Sequence, residues 1–454
     1  MKVIIVGAGE VGFHVANHLV LENKDVVVID KSLDAIRRVT DSIDVQVING
    51  SGSSPVLLEE AGIRGADILL AVTDSDETNL VASLISNIIS PSTKKIARIR
   101  NADFDKYHDV FCDQAPYIDT IINPEIELIK TIDRLMSVPG AIDVEEFADG
   151  RVKFVGIRLE KDARLKGVHL SKLSDKTGRQ GPLVAAIVRN EELIIPGGSD
   201  KLMPGDLVYF ISEKDKLVES LNVFDKHEEP IRSVLIVGGG RIGTRLANIF
   251  EKKSIYTKIL EKDSDRCSKL AEQLNKAVVL HGDGSDLGLL NEENIQDVDV
   301  VITLTNDEET NILISLLAKN MGVRKTITKI SKFSYFPLMS NIGIEQVVSP
   351  RLSSINTILQ HIRRGKVLSS RSIKGERSEV MEAVALETSD IVLKPLKEIS
   401  FPKGALVAGI IRKDEVIIPT GESIIKPDDR IIIFARKNVI PKIEKILAVK
   451  LEYW

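Results

Sequence analysis

The sequence predicts an α/β protein: two doubly wound parallel-sheet lobes, each followed by a small α+β lobe. Three observations carry this expectation. First, the chain repeats itself. VIIVGAGEVG at 3–12 aligns with VLIVGGGRIG at 234–243, and NGSGSSPVLLEEAGI at 49–63 with HGDGSDLGLLNEENI at 281–295. ADILLAVTDSDETN at 66–79 aligns with VDVVITLTNDEETN at 298–311, and IARIR at 96–100 with ITKIS at 327–331. Second, near-continuous runs of Val, Ile and Leu alternate with amphipathic helical stretches. That pattern belongs to βαβ units whose strands are buried on both faces. Third, a different segment also repeats: LVAAIVRNEELIIPGGSDKLMPGDLVYF at 183–210 aligns with LVAGIIRKDEVIIPTGESIIKPDDRIIIF at 406–434. The order is therefore A–B–A–B.

In the first A unit, strands are expected near 2–6, 26–29, 45–48, 67–71, 96–100 and 118–122, with helices between them. The domain limits follow. The first sheet lobe spans 1–123, a helix 124–141 and a small lobe 142–224; a linker, DKHEEP, fills 225–230. The second sheet lobe spans 231–349, its helix 350–370 and its small lobe 371–454. Charge and proline favour exposed, unstructured chain in the linker. Each post-sheet helix opens on proline, as Pro124 and Pro350, which the first helical turn tolerates. Such a helix reads as a crossover or exchange arm; packing on its own sheet is the alternative.

Of the 454 residues, 43% are hydrophobic and 28% charged, the mixture of a soluble globular chain. The formal charge of −5 comes from 61 basic and 66 acidic residues. No basic footprint for nucleic acid is present. The two cysteines, Cys112 and Cys267, suggest neither a disulfide framework nor a zinc cluster. The opening MKVIIVGAG is too short an apolar run for a signal peptide. No stretch reaches the roughly 20 apolar residues of a membrane span. A cytoplasmic protein without direct membrane insertion is expected. Any membrane process would be served through a protein partner.

Gly7-Ala8-Gly9-Glu10-Val11-Gly12 is a GxGxxG loop between a strand and a helix, the context that a Rossmann fingerprint demands. Gly7 permits the tight turn, Gly9 lets a diphosphate approach the backbone, and Gly12 lets helix and strand pack closely. The helix N-terminus offers free N–H groups to phosphates. Asp30 ends the second strand. Its carboxylate suits ribose hydroxyls and repels a 2′-phosphate, which favours NAD or an adenine nucleotide over NADP. The adjacent Lys31 weakens that preference, and Asp30 also suits a helix cap. Gly50 and Ser51 end the third strand, where small residues can flank an adenine. Thr73 and Asp74 end the fourth, next to the loop; a turn or cap is the alternative for both pairs. Arg98 and Arg100 are expected on one face of the fifth strand. They could grip a diphosphate or terminal phosphate, or bridge to a partner subunit.

The second loop, Gly238-Gly239-Gly240-Arg241-Ile242-Gly243, keeps the three glycines. Glu261 stands for Asp30, Gly282 and Asp283 for Gly50 and Ser51, Thr305 for Thr73, and Lys329 for Arg98. Ser331 replaces Arg100. This site loses a cation near the phosphates and gains an acid near the base, so a weaker preference for a triphosphate is expected. Glu77 and Glu309, inside T-D-x-x-E-T-N and T-N-x-x-E-T-N, complete the two candidate sets. None of the seven histidines stands in an Asp–His or Cys–His pattern. His14 and His18 have an i, i+4 spacing but no third metal ligand. With no acid–base pair for hydride chemistry, no catalytic or metal residues are assigned, and nucleotide reads as signal rather than substrate.

Together the A–B–A–B order, both glycine loops, Asp30, Glu261, the two T-x-x-x-E-T-N segments and the LIIP and VIIP motifs resemble the TrkA family. These are cytosolic RCK-domain regulatory subunits of Trk potassium uptake systems. The resemblance covers essentially the whole chain. It implies two RCK N-lobes, each followed by an RCK C-lobe, and a homotetramer whose eight N-lobes form a gating ring. It implies binding of NAD/NADH and ATP/ADP. It implies docking on a Trk-type membrane potassium channel or transporter subunit, hence a peripheral place at the inner face of the cell membrane. On that basis Arg100→Ala is expected to weaken ATP more than NADH. An NAD-dependent oxidoreductase is the alternative.

Overall fold

The structure is a computed structural model that describes residues 1–173, 182–190, 192–226, 229–362, 367–373 and 378–447. It divides into two compact units.

The first unit holds Met1–Leu128 and a helix from the later chain. Its sheet runs β1 (Lys2–Val6), β2 (Asp25–Asp30), β3 (Gln46–Asn49), β4 (Ile68–Ala71), β5 (Lys94–Arg98) and β6 (Thr120–Ile122). The spatial order is 3-2-1-4-5-6 and every pairing is parallel. Helices α1 (Glu10–Leu21), α2 (Leu33–Ser42), α3 (Pro55–Glu60), α4 (Asp76–Ile89) and α5 (His108–Asp113) connect the strands. β4 is buried at all four positions, so its apolar run is continuous rather than alternating. Ile4, Val6, Val27, Ile29, Leu58, Leu69 and Ala97 pack in the core. β5 ends at Arg98, two residues earlier than expected, because Asp76 captures the Arg100 and Asn101 N–H groups at 3.0 and 2.8 Å.

The second unit repeats the sheet as β12 (Ser233–Val237), β13 (Tyr256–Glu261), β14 (Val278–His281), β15 (Val300–Thr303), β16 (Lys325–Lys329) and β17 (Gln346–Val348). The order is 14-13-12-15-16-17, again parallel. Before it, α6 (Pro124–Met136) leads into β7 (Asp143–Phe147), β8 (Val152–Arg158), β9 (Leu183–Arg189), β10 (Glu192–Ile194), β11 (Leu207–Glu213) and α7 (Leu217–Val223). The lobe's helices are α8 (Arg241–Lys252), α9 (Ser264–Gln273), α10 (Leu287–Glu292), α11 (Glu308–Asn320) and α12 (Phe336–Met339). Beyond α13 (Pro350–Ile362) come β18 (Val367–Ile373), β19 (Ser378–Val384), β20 (Ala405–Arg412), β21 (Glu415–Ile417), β22 (Arg430–Arg436) and α14 (Ile440–Leu447). The small lobes are antiparallel five-stranded sheets, ordered 10-9-11-8-7 and 18-19-22-20-21. They share one core, in which Phe154 stacks on Tyr209 and on Phe434 at 5.4 and 5.9 Å between ring centres.

The helix expected over 350–370 stops at Ile362, and Val367–Ile373 is a strand paired with β19. In the linker expected over 225–230, His227 and Glu228 lie outside the described residues. Its start is not loose chain: the Arg164 N–H donates to Asp225 at 2.8 Å, and Lys226 meets Glu160 at 2.8 Å.

The post-sheet helices are exchanged. In the first unit α13 packs on α1 and β6. There Lys94 at the start of β5 donates to the His361 carbonyl at 2.8 Å. In the second unit Lys325, its counterpart on β16, donates to the Leu135 carbonyl at the end of α6, also at 2.8 Å. In each unit a lysine thus meets the carbonyl-rich, partially negative end of the incoming helix.

Candidate functional site

The strand order turns between β1 and β4, so their carboxyl ends leave the crevice where α/β sheets bind ligands. A cleft of about 430 Å³ opens there. Ala8, Gly9, Glu10 and Val11 line it from the glycine loop, and Val72, Asp74 and Arg98 from the ends of β4 and β5. Asp34, Ala35 and Arg38 come from α2, and Arg351 from α13.

Each loop glycine answers to a different constraint. Gly7 has φ +109°, and a Cβ there would sit 2.9 Å from the Thr73 nitrogen. A Cβ on Gly12 would sit 1.8 Å from the Gly7 carbonyl oxygen. These two glycines are needed by the fold itself. Gly9 differs. Its φ is −62°, open to any residue, and a Cβ there would meet nothing within 4 Å. No side chain caps α1 at this position, so the first-turn N–H groups face the cleft without one. The second loop behaves alike. Gly238 has φ +108°, a Cβ on Gly243 would sit 2.1 Å from the Gly238 carbonyl oxygen, and one on Gly240 would have open space. Gly239 differs from Ala8 because Leu270 reaches to 2.3 Å of where its Cβ would be.

Asp30 stands beside the loop, but its carboxylate is already engaged. It accepts from the Ala8 N–H at 2.6 Å and the Ser32 N–H at 2.8 Å. Glu261 does the same with Gly239 at 2.8 Å and Asp263 at 3.0 Å. Burial pushes the Glu261 carboxyl up, but these N–H groups together with the Arg266 guanidinium at 3.3 Å outweigh burial and hold it below its usual range. The acid is thus first a clasp on the glycine loop. A carboxylate has about four acceptor positions, so capacity for a ribose hydroxyl remains.

Thr73 and Thr305 are likewise structural in part. The Thr73 N–H and hydroxyl both donate to Asn79 Oδ1, at 2.9 and 2.7 Å, and the Asn79 amide donates to the Arg98 carbonyl at 2.8 Å. Asn311 links Thr305 to Lys329 in the same way, at 2.9, 2.8 and 3.1 Å. The final asparagine of each T-x-x-x-E-T-N segment therefore ties β4 to β5, and β15 to β16. Position 76 or 308 of the segment anchors the loop after the fifth strand.

Arg98 is 8% exposed. It donates to the Thr73 carbonyl at 2.6 Å and to Asp74 at 2.8 Å. Burial pushes its guanidinium down from the usual range, and Asp74 opposes this. Arg38 was not foreseen. It donates to Glu10 at 2.5 Å and to the Ala8 carbonyl at 3.0 Å, and lies over Phe13 at 4.6 Å. The signal for it was faint: one of two adjacent arginines on a helix with no motif. Among the described residues the buried Nε–H groups of Arg38 and Arg98 have no acceptor, a situation that costs roughly 1–3 kcal/mol each. An anion in the cleft gives both guanidiniums a reason to re-pair.

Other candidates lie outside the cleft lining. Arg100 grips the Asp74 carbonyl and faces Asp76. Gly50 donates its N–H to the Asp30 carbonyl at 2.9 Å, and Gly282 to that of Glu261 at 2.9 Å. Ser51 pairs with Ser53 at 2.8 Å, and Lys31 is exposed. Glu77 accepts from Ser75 at 2.8 Å. Its counterpart Glu309 accepts from Tyr335 at 2.5 Å and Lys332 at 2.9 Å, which hold its carboxyl down to about 2. In the second lobe Asp283 pairs with Lys262 at 2.9 Å and accepts from Ser285; its carboxyl is held at about 2. The acid expected near the base is therefore matched by a lysine. Lys329 donates to the Leu304 carbonyl at 3.3 Å, Arg241 is exposed and Ile242 half-buried in the first turn of α8.

The TrkA-N domain model matches residues 3–124 and 234–350, and the TrkA-C domain model residues 154–222 and 380–448. The chain belongs to the TrkA family. It is 39% identical to the Trk system potassium uptake protein TrkA homolog 2 of Methanosarcina mazei, over 98% of this chain and 100% of the relative. It is 35% identical to the TrkA protein of Azorhizobium caulinodans, over the full length of both. Among solved structures the GsuK channel matches with a TM-score of 0.59 at 16% identity, covering 98% of this chain and 78% of the channel chain. An NAD-bound form of that channel matches with a TM-score of 0.58 at 16% identity, with the same coverage. The two parallel-sheet lobes are thus Rossmann-like and coincide with the TrkA-N matches, and the two small lobes coincide with the TrkA-C matches. Among the described residues, no helix is long and apolar enough to cross a membrane.

Proposed function

We propose that the chain is a non-catalytic, nucleotide-sensing regulatory subunit of a Trk-type potassium uptake system. The observation that carries this reading is the empty space at Gly9 and Gly240. Neither backbone angle nor packing asks for glycine at these two places. Close approach of an external group to the backbone does. The open N-terminus of α1, the two cleft arginines with unmet N–H groups, and the names of the full-length relatives point the same way.

In this reading NAD(H) and ATP or ADP occupy the glycine-loop clefts of both N-lobes. The candidate set in the first lobe is the loop, Asp30, Asp74 and Arg98, joined by Arg38. In the second it is Gly238–Gly243, Glu261 and Lys329. The chain assembles as a homotetramer with a ring of eight N-lobes, held at the inner face of the membrane by its channel or transporter partner. A nucleotide shifts such a ring only through its difference in affinity between ring shapes, a coupling of roughly 1–3 kcal/mol.

The test is titration of the full chain with ATP, ADP, NAD+ and NADH, following heat of binding and, by small-angle scattering, assembly shape. Binding that is lost in a chain carrying both Gly9→Val and Gly240→Val, with a shape change that depends on the nucleotide, is the expected result. Unchanged binding in that chain sinks the site assignment. Binding without any shape change sinks the gating role. Steady oxidation of NADH by a small-molecule substrate overturns the non-catalytic part.

A further inference from the structure

Among the described residues, the first-lobe cleft contains one residue that its own half of the chain does not encode. Arg351 is the second residue of α13, directly after Pro350, and it is half-buried in the cleft wall. At the matching place in the first half the sequence has Glu125. The repeat therefore diverges here by a full reversal of charge.

The cleft's other charges show what Arg351 adds. Three acids line it, Glu10, Asp34 and Asp74, beside Arg38 and Arg98. Arg38 is held by Glu10 and Arg98 by Asp74. Without Arg351 the lining carries one more acid than base, an unfavourable wall for a polyanion. With it the charges balance, and the N-terminal dipole of α1 is left to favour the anion. An arginine also suits a phosphate better than a lysine does, since its planar fork can make two parallel bonds.

We propose that Arg351 is a phosphate-binding residue of the first-lobe site, donated by the second half of the chain, and that it sets how strongly this site favours nucleotides with more phosphate charge. The proposal rests on the reading of this cleft as a nucleotide site. It also gives that site a direct line to the second lobe along the chain, because α13 follows β17 after a single residue, Ser349.

The test uses the full chain with Gly240→Val, so that the second loop is blocked where a Cβ has room. Adenosine, AMP, ADP, ATP and NADH are titrated calorimetrically against this chain and against its Arg351→Gln, Arg351→Lys and Arg351→Glu versions. Arg351→Gln is expected to weaken ATP by about tenfold or more, ADP less, and adenosine not at all, in line with the strength of a charged hydrogen bond. Arg351→Glu should weaken ATP further, and Arg351→Lys should restore a large part. The loss should shrink as salt rises. Equal loss for adenosine and ATP makes Arg351 a packing residue and overturns the proposal. So does an Arg351→Gln chain that binds ATP as its parent does. If the parent binds none of the five ligands, the nucleotide reading fails first and the Arg351 assignment with it. Melting temperatures of all four chains show whether a loss follows unfolding, and the charge-retaining lysine version separates charge from fold.

Discussion

Gly9 and Gly12 are three residues apart and spell the same letter, yet they serve different ends. A Cβ on Gly12 would collide with the Gly7 carbonyl, whereas one on Gly9 would meet nothing. Gly12→Ala is therefore expected to lower stability by a few kcal/mol, read as an earlier denaturant midpoint. Gly9→Ala should leave the midpoint in place and weaken nucleotide binding. The motif assigns the turn to Gly7 and the close packing to Gly12, and these are the two positions where the fold leaves no room for a Cβ. Arg38 was not legible, because a cation on an amphipathic helix carries no spacing signal. Its role comes from the turn of α2 toward the loop. Asp143 was equally silent. Burial raises its carboxyl to about 7, Glu145 adds to the rise, and Arg134 and the Tyr209 hydroxyl at 3.4 Å oppose it. Unfolded, this group would ionise near 4. Between those values the folded chain holds a proton that the unfolded chain has lost, so stability falls as pH rises from about 4 to about 7 and levels off above. Asp143→Asn should flatten that slope in melting curves taken across the range.

At the scale of elements, β-strands and helices of the sheet lobes followed from apolar runs and glycine punctuation. Two ends did not. β5 stops at Arg98 because a carboxylate from the start of α4 takes the next two N–H groups, a tertiary contact with no local signature. The helix opening at Pro350 ends at Ile362, short of the 370 that the sequence suggests, and a strand paired with β19 begins at Val367. The proline and the boundary position of each post-sheet helix point to an exchange arm. The lysine that receives the arm has no such signal. Lys94 binds the His361 carbonyl at the last turn of α13, where a cation contributes about 0.3–1 kcal/mol, more when partly buried. Lys94→Met is expected to speed hydrogen exchange along α13 more than in the strands of its sheet. Equal protection in both chains would show that the apolar face of α13 suffices.

Across the whole molecule, the repeat made the A–B–A–B plan plain, whereas the shared core of the small lobes was hidden. Sequence periodicity shows which strand face is apolar but not which other face will cover it. Phe154, Tyr209 and Phe434 come from the two B segments and stack in one row. Phe434→Ala should cost about 3–5 kcal/mol and be felt on both sides. Exchange protection is expected to drop in β8 and β11 as well as in β19 and β22; a drop confined to the second lobe would contradict the common core. The exchanged helix also imposes a schedule. The first sheet is complete in sequence at Ile122, yet the helix that covers its α1 face begins only at Pro350. At a ribosome's pace of about 5–20 residues per second, that is a wait of roughly 10–45 seconds. Through that interval the nascent first lobe offers an apolar groove with no occupant of its own, open to the growing chain's later helix or to that of a neighbouring ribosome's product. The order of synthesis is thus part of what decides whether one chain closes on itself.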